Sequence, residues 1–175
     1  MPNSQTMSES PKHLIHLLKA EDISAVQRIA ELAWRAHYPG IISHEQIDYM
    51  LAWMYSHDQL LSDMERGVQF AGAYKGEGLV GFAGWELIDP HTAYLHKLYL
   101  LPNEIGAGVG SQLLSRVKRE AQQAGATQLK LAVNKANVKA IKAYERNGFS
   151  LVESVCNDIG KGFVMDDYIY SIELS

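Results

Sequence analysis

Cysteine occurs once in the 175 residues, at Cys156, so no internal disulfide can form and a reducing compartment suits the chain. The lone thiol is expected to pack as a small apolar side chain. Long apolar runs are missing too. Nothing approaches the roughly 20 residues that cross a bilayer, and Met1 to Ser10 is polar, without the core of a secretory signal. A cytoplasmic chain with no membrane partner is the expectation. Basic charge is not in excess: 16 Lys and Arg against 20 Asp and Glu leave a net −4. Nucleic-acid binders want a basic surface, so no such partner is expected. The five prolines are scattered, and no repeat, linker or low-complexity tract divides the chain. A disordered segment 1–10, with Met7 as an alternative start, and a single domain over 11–175 follow from this. No metal-ligand set is assigned.

The charge that is present is unevenly spread. Between Ile105 and Asn147 stand eight basic and two acidic residues, a net of +6; the rest holds eight and eighteen, a net of −10. One segment suits an anion and the remainder a cation, unless surface charge has clustered by chance.

The organising stretch runs from Leu95 to Leu114. Leu95, Leu98, Tyr99, Leu100 and Leu101 make a near-continuous apolar run, as in a strand buried on both faces. Pro102 stops it, and Gly106, Gly108 and Gly110 strip side chains from the turn that follows. Val109, Leu113, Leu114, Val117 and Ala121 then recur at helical spacing. A glycine turn entering a helix exposes unpaired N–H groups and the positive end of the dipole, a combination that holds phosphate. A Walker loop is excluded, because no lysine follows the glycines. A dinucleotide fingerprint would put its third small residue at Ser111 and finds no acid at Val133-Asn134-Lys135. A flexible surface loop is the plain alternative.

Gly108 and Gly110 also fit [Q/R]-x-x-G-x-[G/A], with Ile105 standing where Gln or Arg is usual. Asn137, Ala140, Tyr144, Gly148 and Phe149 fit N-x-x-A-x-x-x-Y-x-x-x-G-F. In this order and separation the two motifs resemble the signatures of the GNAT N-acetyltransferases. The stretches Gln46 to Leu51 and Gly162 to Tyr168 are similar to bacterial members near the polyamine acetyltransferases. The resemblance spans residues 11–174 and is strongest over 95–149. It implies direct transfer from acetyl-coenzyme A to a small primary amine, a polyamine or a lysine within a ternary complex. A homodimer is a compatible assembly. The alternative is a degenerate acyl-coenzyme A sensor without turnover, which Ile105 would suit and Tyr144 argues against.

Along the chain, Lys12 to Leu18 reads as a first strand. Asp22 can cap a helix that buries Val26, Ile29, Ala30, Ala33 and Trp34 and ends at Pro39-Gly40. Ser43 with Gln46, and Ser56 with Gln59, form capping boxes for a second helix that breaks and restarts through Met64. Strands over 68–74 and 79–87 make a hairpin, followed by a central strand, 93–101. A helix over 108–124, a strand over 127–133, a helix capped by Asn137 and two last strands over 149–155 and 163–172 complete the order. The class is α/β (α+β): a mixed, mostly antiparallel sheet of about seven strands with helices on both faces, as the resemblance implies.

The resemblance also implies roles. Leu98 would turn a bulged backbone N–H toward the thioester oxygen, as a one-donor oxyanion site. Tyr99 and Leu100 would line the donor, and the turn Ile105, Gly106, Ala107, Gly108, Val109, Gly110 and Ser111 would wrap its pyrophosphate. The neighbouring strand would splay after Asn134, and Asn137 with Ala140 would meet the pantetheine arm, capping of its own helix being the alternative for Asn137. Arg146, Lys139 and Lys142 are candidates for the outer phosphate or are solvated helix charges. Tyr144 would protonate the departing sulfur, or else is a core aromatic. The base is open between His96, which alternation places on one face with Tyr94 and Leu98, Glu86 on the adjacent strand, and a water chain. Trp34, His37, Tyr38, Tyr49, Trp53 and Tyr94 offer an aromatic wall for the acceptor, with Asp166 or Asp167 to meet a cation; packing is the alternative for each.

Overall fold

The computed structural model describes residues 13–175, so segment 1–10 and Lys12 lie outside it. The elements are β1 Leu14–Leu17, α1 Ile23–His37, α2 His44–Met54, α3 His57–Arg66, β2 Gln69–Lys75, β3 Gly78–Asp89 and β4 Thr92–Leu100, then α4 Val109–Gln123, β5 Gln128–Asn134, α5 Val138–Arg146, β6 Ser150–Gly160 and β7 Phe163–Glu173. The seven strands form one sheet, ordered β1-β2-β3-β4-β5-β7-β6. Only β4 and β5 run parallel; every other pair is antiparallel.

Each face of the sheet carries its own core. Beneath α4, Val109, Leu113, Leu114, Val117 and Ala121 meet Ala83, Leu95, Leu129 and Leu131. Beneath α1, α2 and α3, Val26, Ile29, Trp34, Ile47 and Leu60 meet Phe70 and Phe82. The helical spacing read from the sequence is thus the buried stripe of α4. Glycine keeps β3 and β4 in close contact with α4: a Cβ at Gly81 would stand 2.6 Å from Leu100 Cδ2 and 3.3 Å from both Leu113 Cδ1 and the Tyr99 carbonyl. Gly81→Ala is therefore expected to cost about 1–3 kcal/mol by overpacking, measured by urea unfolding.

Several local expectations need correction. Asp22 precedes α1, but its side chain accepts from the Lys19 N–H and leaves the helix uncapped. Ser43 and Ser56 do cap α2 and α3, accepting from the Gln46 and Gln59 N–H groups at 3.1 Å. The return arm of each box is absent, because Gln46 donates to the Val164 carbonyl and Gln59 to Asp63 instead. A tertiary partner outcompeted the box at Gln46, and a neighbour one turn along α3 did so at Gln59. Cys156 does not pack as an apolar side chain; it is exposed, since β6 is the outermost strand and exposed along most of its length.

The feature that organises the molecule is a parting of strands. β4 pairs with β5 only from Thr92–Gln128 to Leu95–Leu131. Beyond that, β5 continues alongside β7 as far as Asn134–Asp167, while β4 continues alongside β3 to Leu100.

Candidate active site

The glycine turn lies at the open end of the parted strands. Gly106 and Gly108 have φ of +90° and +84°, the left-handed region that a side chain would strain. Gly108 is the N-cap of α4, with no side-chain cap and no acidic residue in the first turn. The early N–H groups of this four-turn helix therefore keep their donors free, with the positive dipole end behind them. Such a cradle fits a pyrophosphate. Ile105 is 64% exposed at its rim.

On the β3 side, the ladder slips between Gly84–Lys97 and Trp85–Leu95, so His96 is an extra residue on β4. The bulge thus sits at His96, two positions before Leu98. It also reverses the alternation. Leu98 joins Leu95 in the core beneath α4, whereas the rings of Tyr94 and His96 stack with centroids 4.8 Å apart. The expectation that Tyr94, His96 and Leu98 share one face fails at Leu98, because an inserted residue shifts the phase of everything after it.

The backbone of the same segment is informative. The Leu101 N–H donates to the Val80 carbonyl on β3 at 2.8 Å. Alternation then points the N–H groups of Tyr99 and Lys97 to β3 and those of Leu98 and Leu100 away from it. They face the gap that β5 has vacated, where the strand ladder supplies no partner. Two strand donors thus line a slot that begins beside the glycine cradle.

Phenols gather across that slot. The Tyr38 and Tyr99 hydroxyls are 3.0 Å apart. Asn137 is buried; its Oδ1 accepts from the Ala140 N–H at 3.2 Å, capping α5, and its side chain also lies near the Tyr38 hydroxyl. Tyr144 is half-buried in the core beneath α4, edge-on to Phe149, and its hydroxyl lies close enough to Tyr38 for charge on one to be felt by the other. Burial raises its pKa well above that of a free phenol. Asn134 turns its side chain back to accept from the Ala136 N–H. Lys139, Lys142 and Arg146 are exposed on α5.

His96 and Glu86, rivals in the sequence, are partners: His96 Nε2 lies 2.9 Å from Glu86 Oε1. Arg66 donates to both Glu86 oxygens at 2.7 Å and reaches Asp63 at 3.4 Å; Lys97 Nζ stands 3.7 Å from the other Asp63 oxygen. Burial lowers the His96 pKa, and the Glu86 bond offsets this only in part. Burial would raise that of Glu86, but the hydrogen bonds from Arg66 and His96 prevail and hold it below the usual carboxylate range. At neutral pH His96 is then an imidazole with a free lone pair and Glu86 an anion already engaged by Arg66.

The aromatic wall is divided. Trp34 is 2% exposed, packed within the core against Tyr38, Tyr55 and Tyr99, so it can reach a ligand only through Tyr38 and Tyr99. The Tyr49 hydroxyl donates to the Ile159 carbonyl at 2.6 Å and ties α2 to β6. Trp53 is exposed beside it, and His37 packs edge-on to Tyr38. Asp166 pairs with Lys135 at 2.7 Å, whereas Asp167 is buried. Sequence reasoning missed the Arg66–Asp63–Lys97 chain. Lys97 within an apolar strand was the available signal, since a buried cation needs a partner; nothing local marked Arg66 or Asp63.

A parallel pair of strands parting beside a glycine-capped helix defines an acyl-coenzyme A N-acyltransferase fold. The chain belongs to the acetyltransferase (GNAT) family, which it matches over residues 26–149, and it is an N-acetyltransferase. It is similar to the spermidine N(1)-acetyltransferase of Thermoplasma acidophilum, 28% identical over 157 residues, which cover 87% of this chain and 94% of that one. An uncharacterized N-acetyltransferase of Mycobacterium tuberculosis is 36% identical over 73 residues, 42% of this chain and 47% of its own. Among solved structures, the PaiA N-acetyltransferase of Thermoplasma acidophilum in complex with coenzyme A superposes with a TM-score of 0.81 at 26% identity, over 93% of this chain and 99% of that one. The ribosomal-protein-S18-alanine N-acetyltransferase of Escherichia coli shares the fold, with a TM-score of 0.72 at 21% identity, over 93% and 94%.

Proposed function

We propose that this N-acetyltransferase transfers the acetyl group directly to a primary amine (a small amine, a polyamine or a lysine side chain) within a ternary complex. Acetyl-coenzyme A is the donor and supplies the activated thioester. The observation that carries the reading is the slot between β4 and β5, with the Leu98 N–H aimed into it and the glycine cradle at its mouth.

Four tasks fall to residues of this chain. The N–H groups of Gly106 to Ser111 hold the pyrophosphate, the backbone supplying what Ile105 lacks. Leu98 donates its N–H to the thioester oxygen as charge builds there, and Leu100 and Asn137 hold the pantetheine arm. His96, held by Glu86, accepts the ammonium proton, directly or through water. That proton matters: an alkylamine with pKa near ~10 is neutral about once in a thousand molecules at pH 7, a penalty of roughly 4 kcal/mol. Tyr144, kept protonated by burial, returns a proton to the departing sulfur. The C–N bond forms as the acetyl C–S bond breaks; the second proton of the attacking nitrogen replaces the one Tyr144 gave up, His96 passes its proton to solvent, and the products are an uncharged amide group and the coenzyme A thiol.

Binding is tested first. Acetyl-coenzyme A is expected to raise the melting temperature, by about 2.7 kcal/mol of stabilisation at a hundredfold excess over Kd, whereas NAD and ATP are not. Equal shifts with NAD would overturn the assignment of the cradle.

A further inference from the structure

Three carboxylates are buried among the described residues: Asp63, Glu104 and Asp167. Two have cations of their own. Asp63 meets Arg66 and Lys97, and Glu104 meets His13 and Lys75. Asp167 has none within salt-bridge distance among the described residues, although it is only 5% exposed; its neighbour Asp166 takes Lys135 instead. A buried carboxylate without a counter-ion is costly, so a lone one beside an active site calls for a cation from outside.

Its position says which cation. On β7, Met165 packs in the core beneath α1 to α3 while Tyr168 and Tyr170 pack beneath α4, so Asp167 faces the α1 side, opposite the side on which α4 presents the cradle. It pairs with Asn134, the last residue of β5, where the strands have parted. Counting on from Leu95–Leu131 past the bulge at His96 puts Asn134 within one residue of Leu98. Because the strands have parted, Asp167 stands at least two strand spacings, roughly 10 Å or more, across from Leu98. That is too far to touch an amine attacking at Leu98, but within reach of a second amino group a few methylenes away.

We propose, on the reading of the enzyme as an amine N-acetyltransferase, that Asp167 binds the second, non-reacting ammonium of a diamine or polyamine acceptor and so sets specificity for dications. Asp167 is then a specificity residue, not the base. Tyr38 at the C-terminal end of α1 and Tyr94 on β4 lie near enough to feel its charge, with Asp166 beside it on β7 and Lys135 after β5. Burial, with the adjacent Asp166, pushes its pKa up to about 6, and Lys135 opposes this only weakly. Tyr38 and Tyr94 do not titrate in that range, their pKa values being raised. Protonation of Asp167 as pH falls below about 6 should therefore weaken diamine binding.

The test compares 1,4-diaminobutane with n-butylamine as acceptors for the wild type, Asp167→Asn, Asp167→Glu and, as a surface-charge control, Glu153→Gln. Asp167→Asn is expected to raise KM for the diamine roughly ten- to a hundredfold, the loss of a charged hydrogen bond, with kcat changed less than about threefold. Butylamine kinetics should stay within about twofold. Asp167→Glu should recover part of the diamine affinity, and Glu153→Gln should match the wild type. Equal losses on both amines, or no loss on either, would overturn the role of Asp167 while leaving amine acetylation standing. Failure of the wild type to acetylate either amine would overturn the role of Asp167 together with the small-amine and polyamine acceptors. Should Asp167→Asn not fold, the partial effect of Asp167→Glu on the diamine alone decides.

Discussion

Replacing Tyr144 by phenylalanine is expected to lower kcat by about 10²- to 10⁴-fold and to leave the Kd for acetyl-coenzyme A nearly unchanged. The ring packs against Phe149 with no hydrogen bond to its hydroxyl among the described residues, so losing the oxygen leaves no orphaned partner behind. Stability should stay within about 1 kcal/mol of the wild type, which separates lost proton transfer from lost packing. Because burial raises the phenol's pKa, Tyr144 stays protonated throughout the working range and adds no falling limb below about pH 9. Stopped-flow acetyl transfer and isothermal titration of the cofactor provide the two readouts. Full activity in Tyr144→Phe would remove the residue from the mechanism.

His96→Ala should reduce kcat/KM by about 10²- to 10³-fold at pH 7.5 and change the shape of its pH profile. The neutral imidazole is the active form and the cationic amine the form that binds, so the wild-type kcat/KM climbs as pH rises through the His96 pKa and then levels. Burial lowers that pKa, which places the bend below about pH 6.5. His96→Ala, which depends on amine that is already neutral, should lose the bend and climb steadily with pH instead. Glu86→Gln separates the two partners. It removes the anion that holds the His96 pKa up, so the bend should move to lower pH with His96 still working. Loss of the bend in Glu86→Gln and its survival in His96→Ala would make Glu86 the base.

The cradle was the easiest part to read. Its chemistry is local: glycines at positive φ, a helix beginning directly after them, and an apolar stripe behind. Each follows from the order of residues over one short stretch. The same holds for the Asn137 cap and for α4, whose buried residues are those of the helical spacing. The phase of β4 was not legible, because a bulge leaves no mark in an alternation until its partner strand is known. Leu98 consequently lies on the opposite face from the one that alternation from Tyr94 assigns.

The sequence by itself determined the class of fold, the glycine turn that opens α4 and the two motifs that identify the family, all of them products of nearest-neighbour chemistry. Only the tertiary structure decided how the remaining polar groups pair. Glu86 and His96 lie ten positions apart and Arg66 twenty before Glu86, yet they form one chain of hydrogen bonds because β3 and β4 are adjacent and α3 ends beside them. Asp63, Glu104 and Asp167 look alike as residues in a string. Two meet cations brought from elsewhere in the chain, and one is left without a partner among the described residues. Whether a buried charge is structural or available to a ligand depends on what stands within a few ångströms of it, and that distance exists only after the chain has folded.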